Sequence, residues 1–143
     1  MDKVGYNICR TQADLYKIAA ENGYDMEDFS FKFLSSSFCE QFYDAPYSRY
    51  QYAPAQDTWD DLDILKDTKK YDGRYFDKTI AGWIGYFYRY LSVDTSIKSS
   101  DICKSLTFKD MVDIYPAYHV MDENVAIEKA VEAFGLGSIK KEA

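Results

Sequence analysis

At 143 residues, with 47% hydrophobic side chains, the chain is long enough to bury about two thirds of its unfolded surface in one domain, so neither disulfide nor metal is needed as a staple. A net charge of −7 repels phosphate backbones and anionic lipid at long range, which sets nucleic-acid and membrane-surface binding aside and favours a basic protein partner. Three widely spaced cysteines, Cys9, Cys39 and Cys103, without a C-x-x-C pair, predict reduced thiols and argue against a disulfide framework or a zinc site.

The opening MDKVGYNICR has no apolar signal-peptide core, and no apolar run approaches the roughly 20 residues that span a bilayer, so a cytoplasmic protein is expected. The spacing predicts a first helix over 12–22, with Thr11 as N-cap, Asp14 completing a weak capping box, and Leu15, Ile18 and Ala19 facing the core. Gly23 supplies a left-handed stop, and Asp25 caps a second helix that buries Met26, Phe29, Phe33 and Leu34. This pair mimics a helix-turn-helix in spacing, but Glu27, Asp28 and Ser30 stand where DNA contacts call for Arg, Lys, Asn or Gln, and an ordinary helical hairpin results.

Serines 35 to 37 break the chain and cap a short helix through Phe38, Cys39 and Phe42, with Cys39 as a small core residue. Asp44 is expected to cap a further element, with Pro46 in its first turn and Tyr47, Arg49, Tyr50 and Tyr52 following, ended by Pro54. A helix over 57–66 places Trp59, Leu62 and Leu65 on one side and Asp57, Asp60 and Asp61 on the other; those carboxylates read as a solvated acidic face, since the turn glycine and distal glutamate of a calcium loop are missing. Lys69, Lys70, Asp72 and Gly73 mark a connection inside one domain.

The longest apolar pattern, DKTIAGWIGYFYRYL over 77–91, predicts the central helix, with Ile80, Trp83, Ile84, Phe87 and Leu91 on one stripe and Trp83 deeply buried. Gly82, Gly85, Tyr86 and Arg89 share the opposite side. Each glycine costs about 1 kcal/mol against alanine in a helix interior, so close approach must repay it. Two occupants fit: another helix, with Arg89 in a structural ion pair, or a partner lying in a groove. Beyond it, Ser99 or Ser100 caps a short helix with Ile102, Cys103 and Leu106; Thr107 and Asp110 open another that Pro116 should break or kink; and Asp122 caps the last, which stops at Gly135 and Leu136. With no period-two alternation, the fold class is all-α: a compact single-domain bundle of about six to eight helices over 1–137 around the central buried helix 77–91, with 138–143 a frayed tail.

Signals for chemistry are sparse. His119 is the only histidine, no cysteine lies beside it in sequence, and nucleophile, P-loop and dinucleotide signatures are missing, so no cofactor is expected and a binding role is favoured over an enzyme. Three of the four arginines adjoin tyrosine, as Ser48-Arg49-Tyr50, Gly73-Arg74-Tyr75 and Tyr88-Arg89-Tyr90, and convergence of Arg49 and Arg89 would make an anion-binding patch.

The segments ENGYDMEDFS, DAPYSRYQ, AGWIGYFYRYL and YPAYHVMD together resemble a family of small helical proteins of gut-dwelling Firmicutes, and the likeness covers most of the chain. The resemblance implies a gene placed beside a toxin-like ADP-ribosyltransferase domain, and so membership of a toxin–antitoxin-type module in which this chain is the antitoxin or accessory member and binds a partner protein. It marks Tyr47, Arg49 and Tyr50, then Trp83, Tyr86 and Arg89, then Tyr115, Tyr118 and His119 as candidate contacts, to which Gly82 and Gly85 are added by the groove reading. The alternative is a small enzyme or nucleotide- or anion-binding domain using Arg49, Arg89 and His119.

Overall fold

Asp2 sets the first helix in place: its carboxylate accepts the Gly5 amide at 2.9 Å, and α1 runs Lys3–Glu21. The computed structural model describes residues 1–45, 47–71, 73 and 75–142, with side chains as far as 139. The expected start at Gln12 is therefore corrected. Thr11 lies inside the helix and its hydroxyl donates to the Asn7 carbonyl one turn back at 3.0 Å, a bond open to a helix-interior threonine as readily as capping is to a terminal one. The added turns contribute Ile8 and Cys9 to the core.

Local signals govern the next elements. Gly23 takes φ +78°, the Tyr24 amide returns to the Ala19 carbonyl at 3.2 Å, and Asp25 caps α2 (Met26–Leu34) through the Asp28 amide. Ser36 caps α3 (Ser37–Phe42), where Cys39 is fully buried. Asp44, however, does not cap the segment that follows it. After α3 the chain forms only a 3-10 turn, Arg49–Gln51, and Asp44 is drawn instead towards Arg89 and Ser99; Pro46 lies outside the described residues. The helix expected over 57–66 also divides. Here α4 (Ala55–Asp61) ends where Leu62 turns extended to reach the core, and a second 3-10 turn follows at Ile64–Asp67. An isolated antiparallel bridge between Tyr24 and Lys70 ties this region back to the first turn.

The central helix α5 runs Lys78–Thr95, capped by Asp77 through the Ile80 amide, a turn longer than the expected 77–91. Its last turn reads as polar, but Ser92 and Thr95 are buried and satisfy their hydroxyls internally, on the Ile97 and Leu91 carbonyls at 2.7 and 2.6 Å. Trp83 departs from expectation as well. It is half-buried, stacked on Phe87 at 4.8 Å and met edge-on by Tyr115 at 5.4 Å, because the later helix that carries Tyr115 covers only part of that face. The most deeply buried positions of the helix are Ala81, Ile84, Arg89 and Leu91.

The remaining helices are α6 (Ser99–Ser105), α7 (Phe108–Tyr118), α8 (Glu123–Ala133) and α9 (Leu136–Glu142). Thr107 and Asp110 form the reciprocal capping box of α7. Pro116 does not end it: the ring sits in the last turn on an exposed position, where only one backbone bond is forfeited. Gly135 takes the expected left-handed turn at φ +68°, yet the chain then resumes as α9, with Leu136 buried, through the stretch expected to fray. Nine α-helices among the described residues exceed the six to eight anticipated because short segments such as α3, α4 and α6 each form a separate helix.

The most extensive interface is α1 against α5. The pair is antiparallel: Gly5 faces Val93, Gln12 faces Gly85 and Lys17 faces Gly82. A Cβ on Gly85 would stand 2.7 Å from the Gln12 carbonyl oxygen and 2.7 Å from the Tyr16 ring, so glycine is what permits this crossing. The glycine face of α5 is thus covered by α1.

Candidate functional site

Arg89 is the junction of the fold. It is 0% exposed, and its guanidinium joins four segments: Nε donates to Gln12 Oε1 at 2.8 Å, Nη1 to Asp44 Oδ1 at 2.5 Å, and Nη2 to Ser99 Oγ at 2.7 Å and Cys39 Sγ at 3.1 Å. Gln12 closes the circuit by donating from its amide nitrogen to the Gly85 carbonyl at 2.9 Å. Burial opposes the guanidinium charge, but Cys39 and Asp44 outweigh it and leave the Arg89 pKa above its ordinary value. Asp44 in turn accepts from the Ser99 hydroxyl at 2.5 Å and the Ser99 amide at 3.1 Å. Burial pushes the Cys39 thiol up to about 11, with Arg89 pulling the other way, and pushes Cys9 up to about 12, so both are protonated packing residues at neutral pH and not nucleophiles.

In front of this network lies a groove of ≈ 600 Å³. The start of α1 contributes Asp2, Val4 and Ile8; α3 contributes Glu40; the loop after it contributes Asp44, Tyr47 and Gln51; and the end of α5 contributes Val93 and Ser96, followed by Ile97 and Lys98. Arg89 lies behind its floor. Two features mark the rim. Tyr47 and Ser96 both adopt φ +64°, a left-handed conformation that is costly for a residue with a side chain, and they are the non-glycine residues with positive φ among those described. Tyr47 is also 76% exposed.

Of the residues singled out in the sequence, the structure brings Tyr47 and Arg89 to this groove and sends the rest elsewhere. Arg49 is exposed and donates to the Tyr50 hydroxyl at 2.6 Å and to Asp61 at 3.2 Å, while Tyr50, itself buried, donates to Asp61 at 2.6 Å. Tyr86 is half-buried beside Tyr90, with ring centroids 6.1 Å apart. Tyr115 and His119 stack at 4.2 Å, with His119 Nδ1 placed 2.7 Å from the Tyr115 carbonyl, and Tyr118 meets Phe87 edge-on at 6.3 Å. Arg49, Arg89 and His119 share neither a cavity nor a hydrogen-bond partner. Arg74 lies outside the described residues.

Val93, Ser96 and Gln51 were not legible as site residues. A serine that ends a helix or a valine in its last turn carries no motif, and their convergence depends on the antiparallel register of α1 and α5. Among the described residues no His, Cys, Asp and Glu side chains gather as a metal site, and no helix is long and apolar enough to cross a membrane. No protein family, curated protein or solved structure matches this chain.

Proposed function

We propose that the protein is a protein-interaction module that receives a partner in the groove between α1, α3 and α5, and that it acts without a cofactor as the antitoxin or accessory member of a toxin–antitoxin-type pair. The partner proposed is the ADP-ribosyltransferase-like toxin domain to which the family resemblance points. The supporting observation is Tyr47, a large aromatic ring held in a strained backbone conformation at the rim of a concave site. Such strain costs of order 1–3 kcal/mol and persists where surrounding structure and function hold it; tyrosine is among the residues that dominate interface energetics. The net charge of −7 suits a basic partner surface.

The test is Tyr47→Gly. Glycine accepts φ +64° without a steric cost, so the variant is expected to hold or raise the melting temperature while removing the ring. Co-purification with the product of the adjacent gene should weaken by about 2 kcal/mol, roughly thirtyfold in Kd. A variant that melts like the wild type and captures the partner equally well would refute the docking reading.

A further inference from the structure

Residues 63–71, between α4 and α5, hold to the fold with little apolar burial. Thr68 is the one buried residue among them, and its hydroxyl is used inside the segment, donating to the Ile64 carbonyl at 2.8 Å. Ile64 and Leu65 rest half-buried on the core, and the others are exposed. The ties that keep the segment in place are therefore polar. The Tyr71 amide donates to the Gly23 carbonyl at 2.7 Å and the Asp25 amide to the Lys69 carbonyl at 2.9 Å, which makes the bridge between Tyr24 and Lys70. Lys70 also sets its ammonium over the Tyr24 ring, 4.8 Å from the centroid, and that ring meets Trp59 edge-on at 5.5 Å.

Two side chains one turn apart on α2 supply the rest. Asp28 Oδ2 accepts the Lys69 amide at 2.8 Å and Lys32 Nζ at 2.9 Å, and Lys32 Nζ reaches on to the Asp67 carbonyl. Burial raises the Asp28 pKa, but the Lys69 amide and the Lys32 ammonium outweigh it and leave the carboxyl below its ordinary value, so the pair is charged at neutral pH. Removing Asp28 deletes the tie to Lys69 and releases Lys32; removing Lys32 deletes the tie to Asp67 and strips Asp28 of its counter-charge. Exposed polar ties of this kind are individually weak, and a segment with few buried apolar contacts opens on its own before the whole domain unfolds.

We infer that residues 63–71 form a strap that opens as a unit while α1 and α5 stay packed, with Asp28 and Lys32 as its clasp. Opening lifts Lys70 from the Tyr24 ring and bares the core surface beneath Ile64 and Leu65, so the clasp sets how often this aromatic face meets solvent. The device is separate from the groove, whose lining includes no residue of the strap or its clasp.

Native-state hydrogen exchange of the isotope-labelled chain tests it, read at amides whose acceptors no substitution touches: Asp25, Thr68 and Tyr71 for the strap, Ile84 and Leu91 for the core. In the wild type the three strap amides are expected to share one opening constant and, corrected for intrinsic rates, to exchange about a hundredfold or more faster than the core pair. Asp28→Ala, and Lys32→Met, which keeps the stem, should each raise the strap-to-core ratio by about three- to tenfold. Because the readout is a ratio within one molecule, a general loss of stability in either variant does not imitate it. Strap amides that exchange at the core rate would overturn the inference, and so would a ratio that neither substitution moves.

Discussion

Arg89→Ala is expected to lower stability by about 3 to 5 kcal/mol, since it strands the Asp44 carboxylate beneath the groove and leaves Gln12 and Ser99 without their donor. Against a typical total of about 5 to 15 kcal/mol, this leaves the domain marginal at room temperature, and the melting temperature should fall by roughly 10 °C or more. The cause can be separated from simple loss of volume. Arg89→Met keeps much of the stem while removing the charge, and adding Asp44→Asn to it should recover part of the loss, because the uncompensated carboxylate is then gone. Thermal unfolding of the two single variants and the double variant measures that coupling. An Arg89→Ala protein that melts within two degrees of the wild type would show that this network does not hold the fold together.

Gly85 and Gly82 make the second prediction, one of contrast. At Gly85 a new Cβ meets backbone, the Gln12 carbonyl oxygen at 2.7 Å, and the base of the Tyr16 ring at 2.7 and 2.9 Å; neither can yield without moving α1. Gly85→Leu should therefore cost about 3 kcal/mol or more and disturb the Gln12 clamp on Arg89. At Gly82 the obstacle is the flexible stem of Lys17, which can swing away. Gly82→Ala should accordingly be neutral, or stabilising by up to about 1 kcal/mol through helix propensity. Chemical denaturation of both variants checks this ordering. Equal losses at the two positions would mean that the α1–α5 crossing is set by something other than Gly85.

The sequence was most informative where structure is decided within a few residues. Asp25, Ser36 and the Thr107–Asp110 pair each cap the helix that their spacing announces, because a cap is a bond across three positions. It misled where a polar side chain had two local uses. Thr11 looks like a cap but bonds back to Asn7, and Ser92 and Thr95 lie where the apolar pattern lapses but are helical, with Thr95 bonded back to Leu91 and Ser92 forward to Ile97 just past the helix end. Least legible was Asp44. Its partner Arg89 lies 45 residues away and Ser99 lies 55 away, so nothing near Asp44 in the chain distinguishes a buried counter-ion from a cap. The groove inherits that difficulty. Tyr47 was marked through the family resemblance alone, whereas Gln51, Val93 and Ser96 acquire meaning only once α1 and α5 are laid antiparallel with Gly85 at their crossing.

The competing surface is the aromatic ladder of Trp83, Tyr115 and His119 between α5 and α7, which is half-exposed and carries several of the residues that the sequence singled out. It lacks the exposed ring in a left-handed backbone conformation that marks the groove rim. Mapping amide chemical shifts of the labelled chain on addition of the adjacent gene product distinguishes the two surfaces without altering a residue. The largest changes are expected on Tyr47, Gln51, Val93, Ser96 and Ile97; changes centred on Trp83, Tyr115 and His119, with the groove signals unmoved, would contradict docking in the groove.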